Sequence, residues 1–256
     1  MKHNFVTFTA ITILALCSII FWETDYLWFV LAGIVLLYIG ITIYGSFKIQ
    51  ANYFLKAINK GHKKGIALTF DDGPDPVTTP QILDILNDKG VKGTFFVIGK
   101  KAEQYPELLR RIDQEGHTIG NHSFSHHKMI GFFSGTRLKA DLVHCNEAVE
   151  AAIGKVPQFF RPPFGVTNPR YADVLKELQW HTIGWSLRSL DTRASNKYQI
   201  INKIIANLKS RDIILLHDNL AVTADSLSDI IEHCVQQGHQ IVPLSKLIQK
   251  EAYDTH

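Results

Sequence analysis

Ile66-Ala67-Leu68-Thr69-Phe70-Asp71-Asp72-Gly73-Pro74 is a compact apolar run that ends abruptly in two carboxylates and a Gly-Pro turn. Its length suits a buried strand better than a helix, and the Gly-Pro pair turns the chain sharply out of it. Thr79-Pro80 then opens a helix through Lys89, with proline in the first turn and Gly90 just past the end. The same beat repeats along the chain. Gly93 to Ile98 is a strand, followed by a helix to Glu115 that stops at Gly116. Thr118 to Gly120 is a short strand feeding a polar loop, Asn121 to Lys128, and a long helix follows from Gly135 to Ile153, closed by Gly154. Further strands read over Gln158–Arg161, Trp180–Ser186, Asp212–Leu216 and Gln240–Pro243, with helices over Lys197–Leu208 and Ser226–Gln237 among the intervening segments.

Repeated strand-helix units imply parallel strands with helices packed outside them. About seven units in roughly 190 residues point to an α/β fold, a small or distorted (β/α) barrel of about seven parallel strands. Periodicity alone does not separate a barrel from an open doubly wound sheet. The placement of polar residues does favour a barrel: Asp71 and Asp72 follow the first strand, His122 the third, Arg161 the fourth, Asp191 the fifth and His217 the sixth. In a βα barrel such positions converge on one mouth.

Working outward to the N-terminus, Phe5–Trp22 and Tyr26–Tyr44 are nearly free of charge, each long enough to span a hydrocarbon core. Trp22, Tyr26, Trp28 and Tyr44 sit near the segment ends, where interfacial aromatics belong. Glu23-Thr24-Asp25 joins the two, so residues 1–45 read as a transmembrane hairpin. The rival is a cleaved signal peptide, but no small-x-small cleavage site follows and a second apolar span comes at once. Leu14-Ala15-Leu16-Cys17 only loosely resembles a lipoprotein box, because Leu16 is bulky beside the cysteine. Lys2 precedes the first span, and Lys48, Lys56, Lys60, Lys63 and Lys64 follow the second; the connection carries neither Lys nor Arg. The positive-inside rule therefore expects a multi-pass protein of a bacterial-type inner membrane with the large domain in the cytoplasm. Residues 46–64 read as a basic juxtamembrane linker and 65–250 as the large domain. A net charge of +3 with no basic stripe argues against nucleic acid as a partner. Three cysteines, Cys17, Cys145 and Cys234, without CxxC spacing, argue against a disulfide framework.

Two features carry chemistry. Adjacent Asp71 and Asp72 at a buried strand end are costly unless protons or cations compensate, a cost resolved if one binds a metal and the other stays a base. A solvated Asx-turn is the bland alternative. His122-Ser123-Phe124-Ser125-His126 sets two imidazoles four residues apart, and on a helical turn or compact loop both can face one ion. His127 is a rival ligand with poorer spacing. Two His and one Asp would leave open positions for water and substrate, as a catalytic divalent site requires.

The ordered set TFDDGP, HSFSH, RPPFG, a WS…D segment and LLH resembles the polysaccharide deacetylase family, the NodB-homology or carbohydrate esterase family 4 group. The resemblance spans about residues 62–250. It implies a distorted βα barrel, a divalent metal (zinc, with Co2+, Mn2+ or Ni2+ as alternatives) and hydrolysis of an acetamide on a GlcNAc-type sugar. By motif position it implies Asp72, His122 and His126 as metal ligands and Asp71 as general base, with Arg161 orienting Asp71. It implies an oxyanion contact from the Phe164 backbone, His217 as the acid that protonates the leaving amine, and Asp191 as the partner that keeps His217 cationic. Leu215 would line the acetyl pocket and Trp185 the groove wall, although Trp185 also reads as core and Arg161 as a structural ion pair. Within Trp185–Thr192 the chain departs from the family pattern: Arg188 replaces a common acidic residue, and Thr192 a common aromatic.

The leading expectation is an N-deacetylase acting on peptidoglycan, a chitin-like polymer or a lipid-linked amino sugar, in contact with a lipid bilayer. A deformylase of a lipid-linked amino sugar keeps the chemistry and changes the acyl group. A catalytically inactive saccharide-binding module is the reading from a different class, and the complete set of reacting groups stands against it.

Overall fold

The computed structural model describes residues 2–254. Two apolar helices, α1 (Lys2–Ile20) and α2 (Leu27–Phe47), form an antiparallel hairpin held by a Thr7–Tyr38 hydroxyl contact at 3.0 Å. Both are long and apolar enough to cross a membrane. Their side chains point outward, with Phe5 and Phe29 largely exposed.

The remainder alternates strands and helices. In chain order these are β1 (Ala67–Asp71), α3 (Thr78–Asp88), β2 (Thr94–Val97), α4 (Gly99–Gln104), α5 (Pro106–Gln114), β3 (Thr118–Asn121) and α6 (Gly135–Ile153). There follow β4 (Phe159–Phe160), α7 (Pro169–Leu178), β5 (His181–Thr182), β6 (Leu187–Arg188), α8 (Lys197–Ile205), β7 (Ile213–His217), α9 (Ala221–Gln236) and α10 (Leu244–Ile248). All seven strands are parallel, in the order β5-β4-β3-β2-β1-β7-β6.

That order demands curvature. β5 and β6 are opposite edges of the sheet, yet only residues 183–186 join them. So short a segment reaches at most roughly 17 Å, so the sheet must curl until its edges nearly meet. The gap is filled by residues from before β1. Ile58 bridges to Ile183 beside β5, and Lys60 bridges to Asp212 beside β7. The chain is thus the distorted, incomplete barrel expected.

Strand alternation separates two of the three core clusters. Leu68 and Phe70 of β1 face outward and pack with Phe95, Val97, Ile214 and Leu216 beneath α3, α8 and α9. Ala67 faces inward with Phe96, Ile183 and Ile213, and α10 closes the floor through Leu244, Leu247 and Ile248. Burial on both faces is why these strands read as continuous apolar runs rather than alternating ones.

Four local expectations are corrected. The seventh strand is not Gln240–Pro243, which pairs only at Ile241 with Ile66 before Pro243 turns the chain into α10. It is Leu187–Arg188, split from β5 because the expected strand Trp180–Ser186 breaks at Gly184; there the backbone passes so close to Asn59 that a methyl group would strike its side-chain oxygen. The helix ending at Glu115 is two helices, interrupted at Tyr105-Pro106, where proline cannot donate to the helical ladder. Helix α9 begins at Ala221, not Ser226.

Residues 46–64, read as a linker from their lysines, pack onto the barrel. Ile49, Tyr53, Phe54, Leu55 and Ala57 are buried, and Gln50 Nε2 donates to the Trp185 carbonyl at 3.0 Å. The lysines conceal an apolar register: Lys48 and Lys56 are exposed while the residues between them turn inward. This segment also seats the hairpin, since the His3 amide donates to the Tyr53 carbonyl at 3.1 Å and Thr167 N–H donates to the Ser46 carbonyl at 3.0 Å.

Candidate active site at the barrel mouth

The strand ends bring Asp71 and His217 side by side, as register partners on β1 and β7. Beyond β1, Asp72 adopts a left-handed conformation (φ 73°), which aspartate tolerates better than most residues. Its carbonyl is held by Lys101 Nζ at 2.6 Å. Gly73 follows because a side chain there would collide with the Asp218 carboxylate.

His122 and His126 come from a compact loop rather than a helix. Asn121 starts it, donating to the Leu142 carbonyl and to Asn146 while accepting from Ser123 N–H at 2.8 Å. Asp141 accepts from the Phe124 and Ser125 amides, and Ser123 Oγ accepts from His126 N–H. Ser123 and His126 have φ of 65° and 44°, unfavourable values sustained by this ring of hydrogen bonds. His126 Nε2 lies 3.2 Å, and His122 Nε2 3.4 Å, from Asp72 Oδ1. His127 turns away, exposed, with its Nδ1 accepting from Met129 N–H.

This trio fits a metal ion. The three candidate donor atoms lie within 4.8 Å of one another. Ligand atoms about 2.0–2.1 Å from a tetrahedral centre are roughly 3.3 Å apart, which matches the two imidazole-carboxylate separations. Asp72 Oδ1 is buried without a well-aligned hydrogen-bond donor among the described residues. His122 Nδ1 lies 2.8 Å from the Arg161 carbonyl, which requires the proton on Nδ1 and leaves a lone pair on Nε2 for a cation. Burial pushes the Asp72 carboxyl up, but the two imidazoles outweigh it and hold it far below the usual range. Burial likewise disfavours a charged His122, and Asp71 and Asp72 reverse the sign, leaving it raised.

Asp71 faces the other side of its pair. Arg161, fully buried, donates from Nη1 to Asp71 Oδ1 at 2.7 Å and to Thr69 Oγ1 at 2.9 Å. The rest of the guanidinium meets the Ile183 and Gly184 carbonyls and lies over the Phe96 ring, 4.2 Å from its centroid. Desolvation lowers the Arg161 pKa against the pull of Asp71. Fixed on five sides, the arginine leaves Asp71 one defined orientation with Oδ2 toward His122, 3.9 Å away.

Across the cavity His217 Nδ1 meets Asp191 Oδ1 at 2.8 Å. Asp191 Oδ2 accepts from the His217 amide at 2.7 Å and from Thr223 Oγ1 at 2.9 Å. Burial alone would lower the His217 pKa; the Asp191 contact overrides it and the value is raised. Asp191 is lowered in turn, its burial outweighed by His217.

A cavity of about 260 Å³ gathers Asp71, Asp72, His122, His126, Leu215 and His217, with Phe164, Gly165, Trp185, Arg188 and Thr192 at its walls. Phe164 has φ 61°, and its ring tilts over that of His126 with centroids 4.8 Å apart. Trp185 spans both roles anticipated for it, half-buried against the core and lining the cavity. Every residue expected at the site is therefore in this cavity or directly bonded to a residue that is.

Three supporting residues escaped the sequence reading. Thr69 sat inside a quoted motif without a role, yet it links Arg161 to the Ile214 carbonyl. Thr223 reaches Asp191 from the start of α9, with no local signal. Asp218, next to His217, is fully buried; burial pushes its carboxyl up to about 7, and Thr79 donates to it at 2.6 Å. Its position after a histidine at a strand end was a signal left unused.

The polysaccharide deacetylase family model matches residues 58–183. A peptidoglycan-N-acetylglucosamine deacetylase of Bacillus cereus is 36% identical over 193 residues, covering 73% of this chain and 90% of that protein. A peptidoglycan-N-acetylmuramic acid deacetylase of Bacillus subtilis is 35% identical over 186 residues, covering 73% of this chain and 39% of that one. Among solved structures, a peptidoglycan N-acetylglucosamine deacetylase superposes with a TM-score of 0.73 at 31% identity, over 77% of this chain and 94% of that one.

Proposed function

This chain belongs to the polysaccharide deacetylase family, and from that premise we propose that it is a metal-dependent N-deacetylase of GlcNAc-containing glycans. The observation that carries the reading is the single cavity in which a metal-ligand trio is flanked by an arginine-clamped carboxylate and a carboxylate-paired histidine. The similarity to two peptidoglycan deacetylases supports the substrate class.

In this reading Asp72, His122 and His126 hold a divalent ion, with zinc preferred because two imidazoles and one carboxylate suit it. When bound, such an ion polarises the acetamide carbonyl and makes water a competent nucleophile near neutral pH. Asp71 removes the proton from the attacking water, and Arg161 keeps its carboxylate oriented. The Phe164 N–H helps bind the developing oxyanion. Leu215 packs against the acetyl methyl, and Trp185 forms a wall of the sugar groove. His217, kept cationic by Asp191, donates its Nε2 proton to the departing amine, without which the tetrahedral intermediate would collapse back to amide.

The apolar hairpin anchors the enzyme in a bilayer. Its membrane-proximal end is keyed to the cavity wall, because Gln50 bonds the Trp185 carbonyl and Ser46 bonds Thr167. That linkage favours substrates presented close to the membrane, lipid-linked amino sugars among them. The lysine pattern around the spans favours a cytoplasmic domain, which reporter fusions at residue 25 and at the C-terminus will test; an externally placed C-terminal reporter overturns it.

The deciding assay is acetate release from N-acetylglucosamine oligomers by the full chain in detergent, metal-stripped and zinc-reconstituted, with Asp71→Asn as control. Zinc-dependent acetate that disappears in Asp71→Asn is the expected result. Zinc bound stoichiometrically without acetate from any N-acetylated glycan, oligomeric or lipid-linked, would refute the activity.

A further inference from the structure

Arg188 occupies a position that nothing in the catalytic set explains. It is the exposed residue of edge strand β6 and the register partner of Leu215, and neighbouring strands lie about 4.8 Å apart. It therefore sits directly beside the wall assigned to the acetyl methyl. Arg188 lines the catalytic cavity, and it also lines a second concavity of about 430 Å³. The two share it as a common rim.

That second concavity is cationic. Lys60, Lys203 and Lys209 line it with Arg188, and Asp212 is its only carboxylate. Asp212 is already engaged: it accepts from Ser186 Oγ and the Lys209 amide at 2.8 Å each, and Lys60 Nζ lies 3.9 Å away. Among the described residues, Arg188, Lys203 and Lys209 make no ion pair. A concavity lined by one sign of charge focuses the field and concentrates a counter-ion of opposite sign. An arginine fork at its edge suits the two-point recognition of carboxylate or phosphate oxygens.

We propose that Arg188, Lys203 and Lys209 form an anion subsite next to the catalytic cavity, and that the preferred substrate is an N-acetyl amino sugar carrying a phosphate or carboxylate beside its acetamide. The proposal rests on the deacetylase reading for the identity of the neighbouring group. The acetamide-bearing carbon of such a sugar is flanked by C1 and C3. A C1 phosphate, as in a phospho-linked sugar, and a C3 ether-linked carboxylate, as in muramic acid, both project from a carbon adjacent to the reacting centre. C1 and C3 lie on opposite sides of that carbon, so with the acetyl methyl on Leu215 only one of the two anions faces Arg188, and the orientation of the sugar decides which.

The test compares three disaccharide probes on the zinc-loaded full chain in detergent: neutral chitobiose methyl glycoside, chitobiose 1-phosphate and GlcNAc-MurNAc. The readout is the ratio of kcat/KM for each anionic probe to that for the neutral one. One charge-assisted contact supports a preference of about tenfold or more, shrinking as salt is raised. Arg188→Gln should bring the ratio close to one, Arg188→Lys should restore part of it, and the Lys203→Gln/Lys209→Gln pair should lower it less. A larger ratio for the phosphate probe assigns the C1 anion, and a larger ratio for the muramic probe the C3 anion. A wild-type ratio near one, or an equal fall for neutral and anionic probes in Arg188→Gln, overturns the subsite. If no probe is hydrolysed, calorimetric binding of the same probes decides the subsite, and the deacetylase reading stands or falls by its own assay on oligomeric and lipid-linked glycans. Tighter binding of an anionic probe that is lost in Arg188→Gln then supports it, and equal binding overturns it.

Discussion

Replacing Asp191 by asparagine should move the alkaline limb of the pH-rate profile toward acid. The carboxylate makes four contacts: Oδ1 with His217 Nδ1 at 2.8 Å and the Thr192 amide at 2.9 Å, and Oδ2 with the His217 amide at 2.7 Å and the Thr223 hydroxyl at 2.9 Å. Two donors point at each oxygen, so an asparagine, with one carbonyl and one amide NH2, satisfies only one pair, and in either orientation the negative charge beside the ring is gone. A protonated imidazole then loses its carboxylate partner. A buried charge-assisted hydrogen bond is worth about 1.5–3 kcal/mol, and one pKa unit corresponds to about 1.4 kcal/mol. The His217 pKa should therefore fall by about 1–2 units. As His217 acts as the acid, activity is present below its pKa and lost as pH rises through it. The limb shifts acidward by the same amount in kcat/KM for acetate release. Stability follows the same sign. The raised folded pKa stabilises the fold fully below about pH 6.5, and this contribution is lost as pH rises through the elevated value. In Asp191→Asn that pH dependence of urea unfolding should flatten. A rate that falls equally at every pH, with the limb unmoved, would refute the idea that Asp191 sets the charge on His217.

Three further outcomes follow from the geometry. Arg161→Met strands the Asp71 carboxylate and two backbone carbonyls in the barrel interior, and should cost about 3–5 kcal/mol in urea unfolding; a loss below about 1 kcal/mol would mean water reaches these groups. Asp72→Asn should weaken zinc binding by at least about tenfold in calorimetry, and wild-type affinity should fall with acid because the raised His122 must lose a proton to bind. Gly184→Ala should destabilise the domain by about 1–3 kcal/mol, since the added methyl meets Asn59; a neutral effect measured by denaturation would show that residues 46–64 are not part of the folded unit.

Much of the site was legible because its residues mark places where local chemistry changes. Two aspartates and a Gly-Pro turn at the end of an apolar run, or two histidines inside a polar loop, break the surrounding pattern within a few residues. Helix α6 was legible from Gly135 to Ile153, closed by the left-handed Gly154, for the same reason. What escaped was whatever depends on a partner far along the chain. The lysines of residues 46–64 suggested a basic juxtamembrane linker, and the burial of Ile49, Phe54 and Leu55 within it is decided by the barrel they meet. Thr223 supports Asp191 across 32 positions of sequence, and no period or turn signal encodes that.

The sequence by itself determined the parallel strand-helix alternation, the apolar hairpin and the candidate site residues, because hydrophobic period, proline and glycine placement and motif spacing are local properties. Only the tertiary structure decided that Leu187–Arg188, and not Gln240–Pro243, supplies the seventh strand. It also decided that Thr223 supports Asp191 from the start of α9 and that Arg188 rims the cavity. These outcomes depend on sheet register and on how far the sheet curls before its edges meet, and both are set by the packing of the whole chain at once.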